Sequence, residues 1–166
     1  VHIPYYVDVN RRETSLTVNG EEMNLPELVK KGYAYITRKW EKGDTLCLQF
    51  PMEARKVYAN QHVREDAGCV AILRGPMVYC LEGADNGELI QSLRIPKEMR
   101  AVPYTCEEGI LKGNTLLKID GFRMVGSEEL YSEKPPVKEK TVLTAIPYYA
   151  WTNRGENQMR VWIQEE

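Results

Sequence analysis

The sequence is short of histidine, phenylalanine and closely spaced cysteine, and these shortages remove several classes of function. Its 166 residues hold only two histidines, His2 and His62. A serine or cysteine nucleophile needs a base, normally His, within hydrogen-bond reach, so little material exists for a hydrolytic triad. The four cysteines, Cys47, Cys69, Cys80 and Cys106, never fall at the two- to four-residue spacing by which one loop grips zinc from two points. No metal site is therefore expected in this chain. No phosphate-cradling glycine loop occurs either. No run approaches the roughly 18 apolar residues that a membrane-spanning helix requires. The segment opening Val1-His2-Ile3-Pro4 lacks the basic flank and apolar stretch of a signal peptide. A soluble chain with no visible address is expected. Nor does one sign of charge dominate. The 22 Lys and Arg against 24 Asp and Glu leave a formal net charge of -2, which excludes a strongly basic nucleic-acid binder.

What is present points to strands. Ten Tyr and three Trp against two Phe make an aromatic set with polar ends and strong strand preference. Alternation of period two runs through most of the chain, interrupted at short intervals by Gly, Pro and Asn. Residues 16–22 form a strand entering Asn19-Gly20, a dipeptide that tolerates the positive φ angles of a type I′ turn. Residues 24–32 allow one or two helical turns, with an early Pro26 and a terminal Gly32. Residues 33–40 read as a strand with Ala34, Ile36, Arg38 and Trp40 on one face, and residues 45–50 as another with Leu46, Leu48 and Phe50 together. Further strands are expected over 52–59, 69–74, 77–82, 89–95, 115–120 and 141–147, with 69–74 and 77–82 joined by Gly75-Pro76. Near the end, Val161 and Ile163 point one way and Arg160 and Trp162 the other. This spacing of short strands indicates an all-β chain, a sandwich or a barrel. The fold read from it is an antiparallel β-sandwich, single or as two adjoining small units. The polar stretch from Gly83 to Gly87 suggests units of 1–83 and 84–166.

Candidate chemistry is sparse. His62 lies in a polar stretch with Glu65 and Asp66, where an exposed loop residue is the simpler reading than a catalytic base. Acidic neighbours such as Glu107-Glu108 and Glu165-Glu166 read as solvated charge. Cys47 and Cys80 sit in strand-like runs, where a small buried thiol is the usual occupant. The aromatics say more. Sugars offer flat C–H faces that stack on Trp or Tyr, and Tyr148, Trp151 and Arg154 supply stacking and hydrogen bonding within one segment. Core or interface packing is the stronger reading of the same residues, with a glycan platform as the alternative.

A longer pattern resembles a known family. Gly32-Tyr33-Ala34-Tyr35-Ile36-Thr37-Arg38-Lys39-Trp40, then Lys42-Gly43-Asp44, then Phe50-Pro51-Met52-Glu53-Ala54-Arg55 resemble the region after the catalytic barrel in glycoside hydrolase family 127. Its best-known activity is β-L-arabinofuranosidase. Val63-Arg64-Glu65-Asp66-Ala67-Gly68-Cys69 and Arg74-Gly75-Pro76-Met77-Val78-Tyr79 extend the match, as do Ala145-Ile146-Pro147-Tyr148-Tyr149-Ala150-Trp151 and Met159-Arg160-Val161-Trp162.

In that family the chemistry belongs to an upstream α/α barrel, with a Cys nucleophile from an adjacent Cys pair and zinc held by cysteines and a Glu. This chain has no adjacent Cys pair, so none of those roles transfers to it. The resemblance implies a fragment without catalytic, metal-binding or cofactor-binding residues of its own, any targeting signal lying upstream. Its expected partner is the barrel of the same parent chain, with a homodimer or a glycan as further partners. The leading expectation is a non-catalytic accessory module, with Arg38, Trp40, Tyr148, Trp151 and Arg154 as candidate interface or glycan contacts. The alternative is a carbohydrate-binding module built on Tyr148, Trp151 and Arg154.

Overall fold

The computed structural model describes residues 1–166 and divides them into two compact units, Val1–Glu53 and Ala54–Glu166. The expected division after residue 83 is not where the chain separates. Gly83 to Gly87 lies inside the larger unit, where it forms a helical turn directly after a strand.

In the first unit, β1 (Ser15–Val18) pairs antiparallel with β2 (Glu21–Glu22) through Asn19-Gly20, whose φ angles are 54° and 84°. Those positive angles are what the Asn-Gly signal predicts. The helix α1 (Leu25–Leu28) is a single turn with Pro at its start. It gives way to a small hairpin, β3 (Val29–Lys30) and β4 (Tyr33–Ala34), turned at Lys31-Gly32 with φ 52° and 78°. The extended reading of residues 33–40 is corrected accordingly. Pairing stops at Ala34, and Arg38 and Trp40 stand on a loop. The strand β5 (Leu46–Gln49) pairs with β1 and sends Leu46 and Leu48, with Phe50 just beyond, onto a core of Ile3, Leu16, Leu25 and Ala34.

The second unit is one nine-stranded sheet. Its strands are β6 (Ala54–Tyr58), β7 (Cys69–Arg74), β8 (Met77–Glu82), β9 (Leu93–Ile95), β10 (Ala101–Thr105), β11 (Thr115–Val125), β12 (Val137–Pro147), β13 (Met159–Arg160) and β14 (Ile163–Glu165). The helix α2 (Gly83–Asn86) follows β8. The turn between β7 and β8 has Gly75 at φ 56° before Pro76, the Gly-first arrangement of a type II′ hairpin. Pairing runs β8-β12-β11-β9-β14-β7 and returns to β8, so these strands form a closed circuit. All its ladders are antiparallel except β14 with β9.

The circuit encloses one core. Val70 and Ile72 of β7, Tyr79 and Leu81 of β8, and Leu93 and Ile95 of β9 belong to it. Leu117 and Ile119 of β11, Leu143 and Ala145 of β12, and Ile163 of β14 complete it. Alternate residues of every strand therefore face the same interior, as the pleat requires. The opposite residues of β8, β11 and β12, namely Cys80, Leu116 and Ile146, join Leu111 and Ala150 in a second cluster. The all-β reading is borne out in both units.

Closure demands close approach at one point. A Cβ on Gly121 would lie 2.7 Å from Leu143 Cδ1 and 2.9 Å from the Arg94 carbonyl oxygen. Only glycine lets β11 pass there without displacing its neighbours.

Candidate functional site

The sequence candidates fall into two groups on different units. In the first, the Arg38 guanidinium lies 5.2 Å from the centre of the Trp40 ring, within cation–π range, and Arg38 Nη2 is 3.5 Å from Asp44 Oδ2. Asp44 is held below the usual carboxylate range by the Asn19 side-chain amide first, then by the Glu41 backbone N–H, with Arg38 adding charge. Trp40 remains 48% exposed.

The second group is built where β12 ends. Pro147 closes the strand, and a 3₁₀ turn over Tyr148–Ala150 throws Tyr148 and Trp151 outward while Ala150 is buried. The two rings stack at 6.2 Å between centres and 22° between planes. Tyr148 is 43% and Trp151 36% exposed. Both are thus surface aromatics with one face supported, and neither is a core residue.

Arg154 is committed elsewhere. Its Nη1 and Nη2 donate to the two oxygens of Asp85 at 2.6 and 2.5 Å, and Nη2 also donates to Glu82 Oε2 at 2.5 Å. These bonds, Asp85 first and then Glu82, raise the guanidinium's affinity for its proton still further. Glu82 is fully buried, and its other oxygen accepts from the Thr152 N–H at 2.7 Å. Thr152 has φ 64°, a strained region for a β-branched residue, and this hydrogen bond helps hold it there. Asn86 completes the arrangement. Its side chain donates to the carbonyls of Glu82 and Thr144 and accepts from the Thr144 N–H, each at 2.9 Å. The turn that presents Tyr148 and Trp151 is therefore followed by a segment clamped to β8 and α2.

Glu82 and Asp85 were not among the sequence candidates. A signal did exist for Glu82, which is in phase with Val78 and Cys80 on one face of β8 and so places a charge where apolar residues are expected. Burial, and then the nearby Glu82 charge, push the Cys80 thiol up to about 12. Cys47, by contrast, is exposed, which corrects its reading as a buried thiol.

A cleft of about 540 Å³ opens beside Tyr148. Glu65, Asp66, Arg160 and Trp162 line it, together with the apolar Val78 and Val161. His62 does not line it, so the His62, Glu65 and Asp66 set is not gathered around a common cleft. Glu165 is not simply solvated. It accepts hydrogen bonds from Lys56 and from the Tyr58 hydroxyl, the latter at 2.9 Å. No group of three or more His, Cys, Asp or Glu side chains is placed to hold a metal ion. No helix is long and apolar enough to cross a membrane.

Residues 54–164 match the glycoside hydrolase family 127 C-terminal domain. The chain belongs to glycoside hydrolase family 127. Residues 2–52 match the GH127 middle domain of β-L-arabinofuranosidase, so the two GH127 models meet where the two compact units divide. A non-reducing end β-L-arabinofuranosidase of Bifidobacterium longum is 33% identical over 166 residues, covering 92% of this chain and 24% of that protein. The solved GH127 β-L-arabinofuranosidase of Geobacillus stearothermophilus T6 is similar at TM-score 0.90 and 40% identity, over 99% of this chain and 26% of that one. Another solved GH127 β-arabinofuranosidase is similar at TM-score 0.83 and 34% identity, over 96% of this chain and 24% of that one. The chain thus spans about a quarter of the length of these relatives.

Proposed function

We propose that this GH127 chain is a non-catalytic accessory module that packs against the α/α barrel of a β-L-arabinofuranosidase and supports the shape of that barrel and its active-site rim. The observation that carries this reading is its extent. The chain matches the middle and C-terminal domains of the family and about a quarter of relatives that are whole glycosidases. Its contribution is buried area and rigidity, with bond making left to the rest of the parent enzyme. A stable interface of standard size buries about 1,200 to 2,000 Å² in total. The exposed Trp40 and Trp151 provide aromatic anchors of the kind that concentrate binding energy.

The test is reconstitution. The chain is mixed with a separately expressed family barrel and followed by size-exclusion chromatography and calorimetry. A one-to-one complex is expected, with Trp40→Ala or Trp151→Ala weakening it about tenfold or more, as loss of an anchor residue does. Absence of association between two partners shown to be folded overturns the proposal.

A further inference from the structure

The cleft beside Tyr148 carries an inference of its own. Two aromatic side chains, Tyr148 and Trp162, line it together with two carboxylates, Glu65 and Asp66, and one guanidinium, Arg160. The ion pairs within the chain involve other residues, so these three charges remain unpaired. Arg154, Lys56 and Arg11 each grip a carboxylate of their own chain, whereas Arg160 faces an open hollow.

The lining restricts what fits. An inorganic anion or phosphate meets two carboxylates for a single guanidinium, which is the wrong balance. A lipid or wholly apolar ligand would strip water from three charges without pairing them, at high cost. A metal ion lacks a third carboxylate, thiol or imidazole placed to join a ligand set. A neutral polyhydroxylated ring satisfies all parts. Its hydroxyls donate to Glu65 and Asp66 and accept from Arg160, while its C–H face lies on Tyr148 or Trp162. The volume of about 540 Å³ lies within the ordinary span of ligand clefts. Trp151 stacks on the Tyr148 ring at 6.2 Å between centres and supports its orientation.

We propose that the cleft lined by Glu65, Asp66, Tyr148, Arg160 and Trp162 is a carbohydrate-binding site for a neutral sugar. The module then holds a glycan through its own residues, in addition to packing against a barrel. The choice of sugar as ligand class rests on the lining chemistry and does not require the packing role.

The test titrates the folded chain with L-arabinose and a short arabino-oligosaccharide, reading the indole N–H resonance of Trp162. Inorganic phosphate and an alkylammonium ion serve as contrasting probes. Saturable shifts with the sugars and none with the other two are expected. Asp66→Asn and Arg160→Gln should each weaken binding about tenfold, the effect of losing one charge-assisted hydrogen bond. Unchanged melting temperatures would show that both variants fold, and Tyr148→Phe, which keeps the ring, should retain most of the affinity. Failure of the sugars to shift Trp162, a response to phosphate or ammonium instead, or undiminished binding by both charge variants overturns the site. Barrel association without sugar binding defeats this inference alone, and sugar binding without barrel association defeats the packing role alone.

Discussion

Arg154 meets Asp85 through two parallel hydrogen bonds, at 2.6 and 2.5 Å, across 69 positions of sequence. Fork-to-fork pairing of this kind fixes orientation as well as distance, which a lysine does not achieve. Because the same guanidinium also reaches the fully buried Glu82, it neutralises a carboxylate that has no water to turn to.

Arg154→Ala should therefore lower stability by about 3 kcal/mol, the low end for stripping one partner from a buried ion pair, because Arg154 itself is partly exposed. Urea unfolding at neutral pH measures it. Arg154→Lys should lose less, and adding Glu82→Gln to Arg154→Ala should recover part of the loss. An unshifted urea midpoint for Arg154→Ala would show that the pair contributes no net stability.

Gly121→Ala tests the close passage of β11. The added methyl would sit 2.7 Å from Leu143 Cδ1 and 2.9 Å from the Arg94 carbonyl oxygen, so a cost of about 1 to 3 kcal/mol is expected from overpacking. Combining it with Leu143→Ala removes one clash and leaves the backbone one. Thermal melts should show the two substitutions costing less together than the sum of their separate effects.

The pair of Lys56 and Glu165 predicts a pH dependence. The Lys56 hydrogen bond, opposed by burial and aided by the Tyr58 hydroxyl, holds Glu165 below its ordinary 4.5. Burial works against the Lys56 charge, but its bonds to Glu165 and Tyr58 outweigh that and raise it above its ordinary 10.5. A depressed carboxylate contributes stability that is present above 4.5 and lost as pH falls through the folded-state value. A raised ammonium contributes stability present below 10.5 and lost as pH rises through its folded-state value. The stability difference between the parent chain and Glu165→Gln should accordingly be flat through neutral pH and shrink at both extremes. A difference that grows toward acid pH would contradict the assignment.

Turn chemistry was the most readable part of the sequence. Asn19-Gly20 and Gly75-Pro76 both occupy hairpin turns, because their backbone preferences act locally and no distant residue overrules them. The strands β7 and β8 span the residues that alternation and punctuation indicated. Residues 33–40 misled because alternation reports a pattern of faces, whereas a ladder also needs a partner, and past Ala34 none is supplied. The boundary at residue 83 misled for a related reason. Gly83 and Gly87 mark a local reversal, while the separation between units depends on which distant strands pair, and β6 pairs with β7 in the later unit. The engagement of Arg154 was likewise not legible. It depends on Glu82 and Asp85, which lie far from Arg154 in sequence and carry no motif that links them to it.

The closed circuit makes its last strand a keystone. β14 is three residues long, yet it alone joins β7 on one side to β9 on the other. Until Ile163 reaches Val70 and Gln164 reaches Arg94, two strands present unpaired backbone to whatever lies nearby. A nascent chain cannot seal its own sheet before these residues emerge, so the unit stays open to wrong partners until β14 has been made.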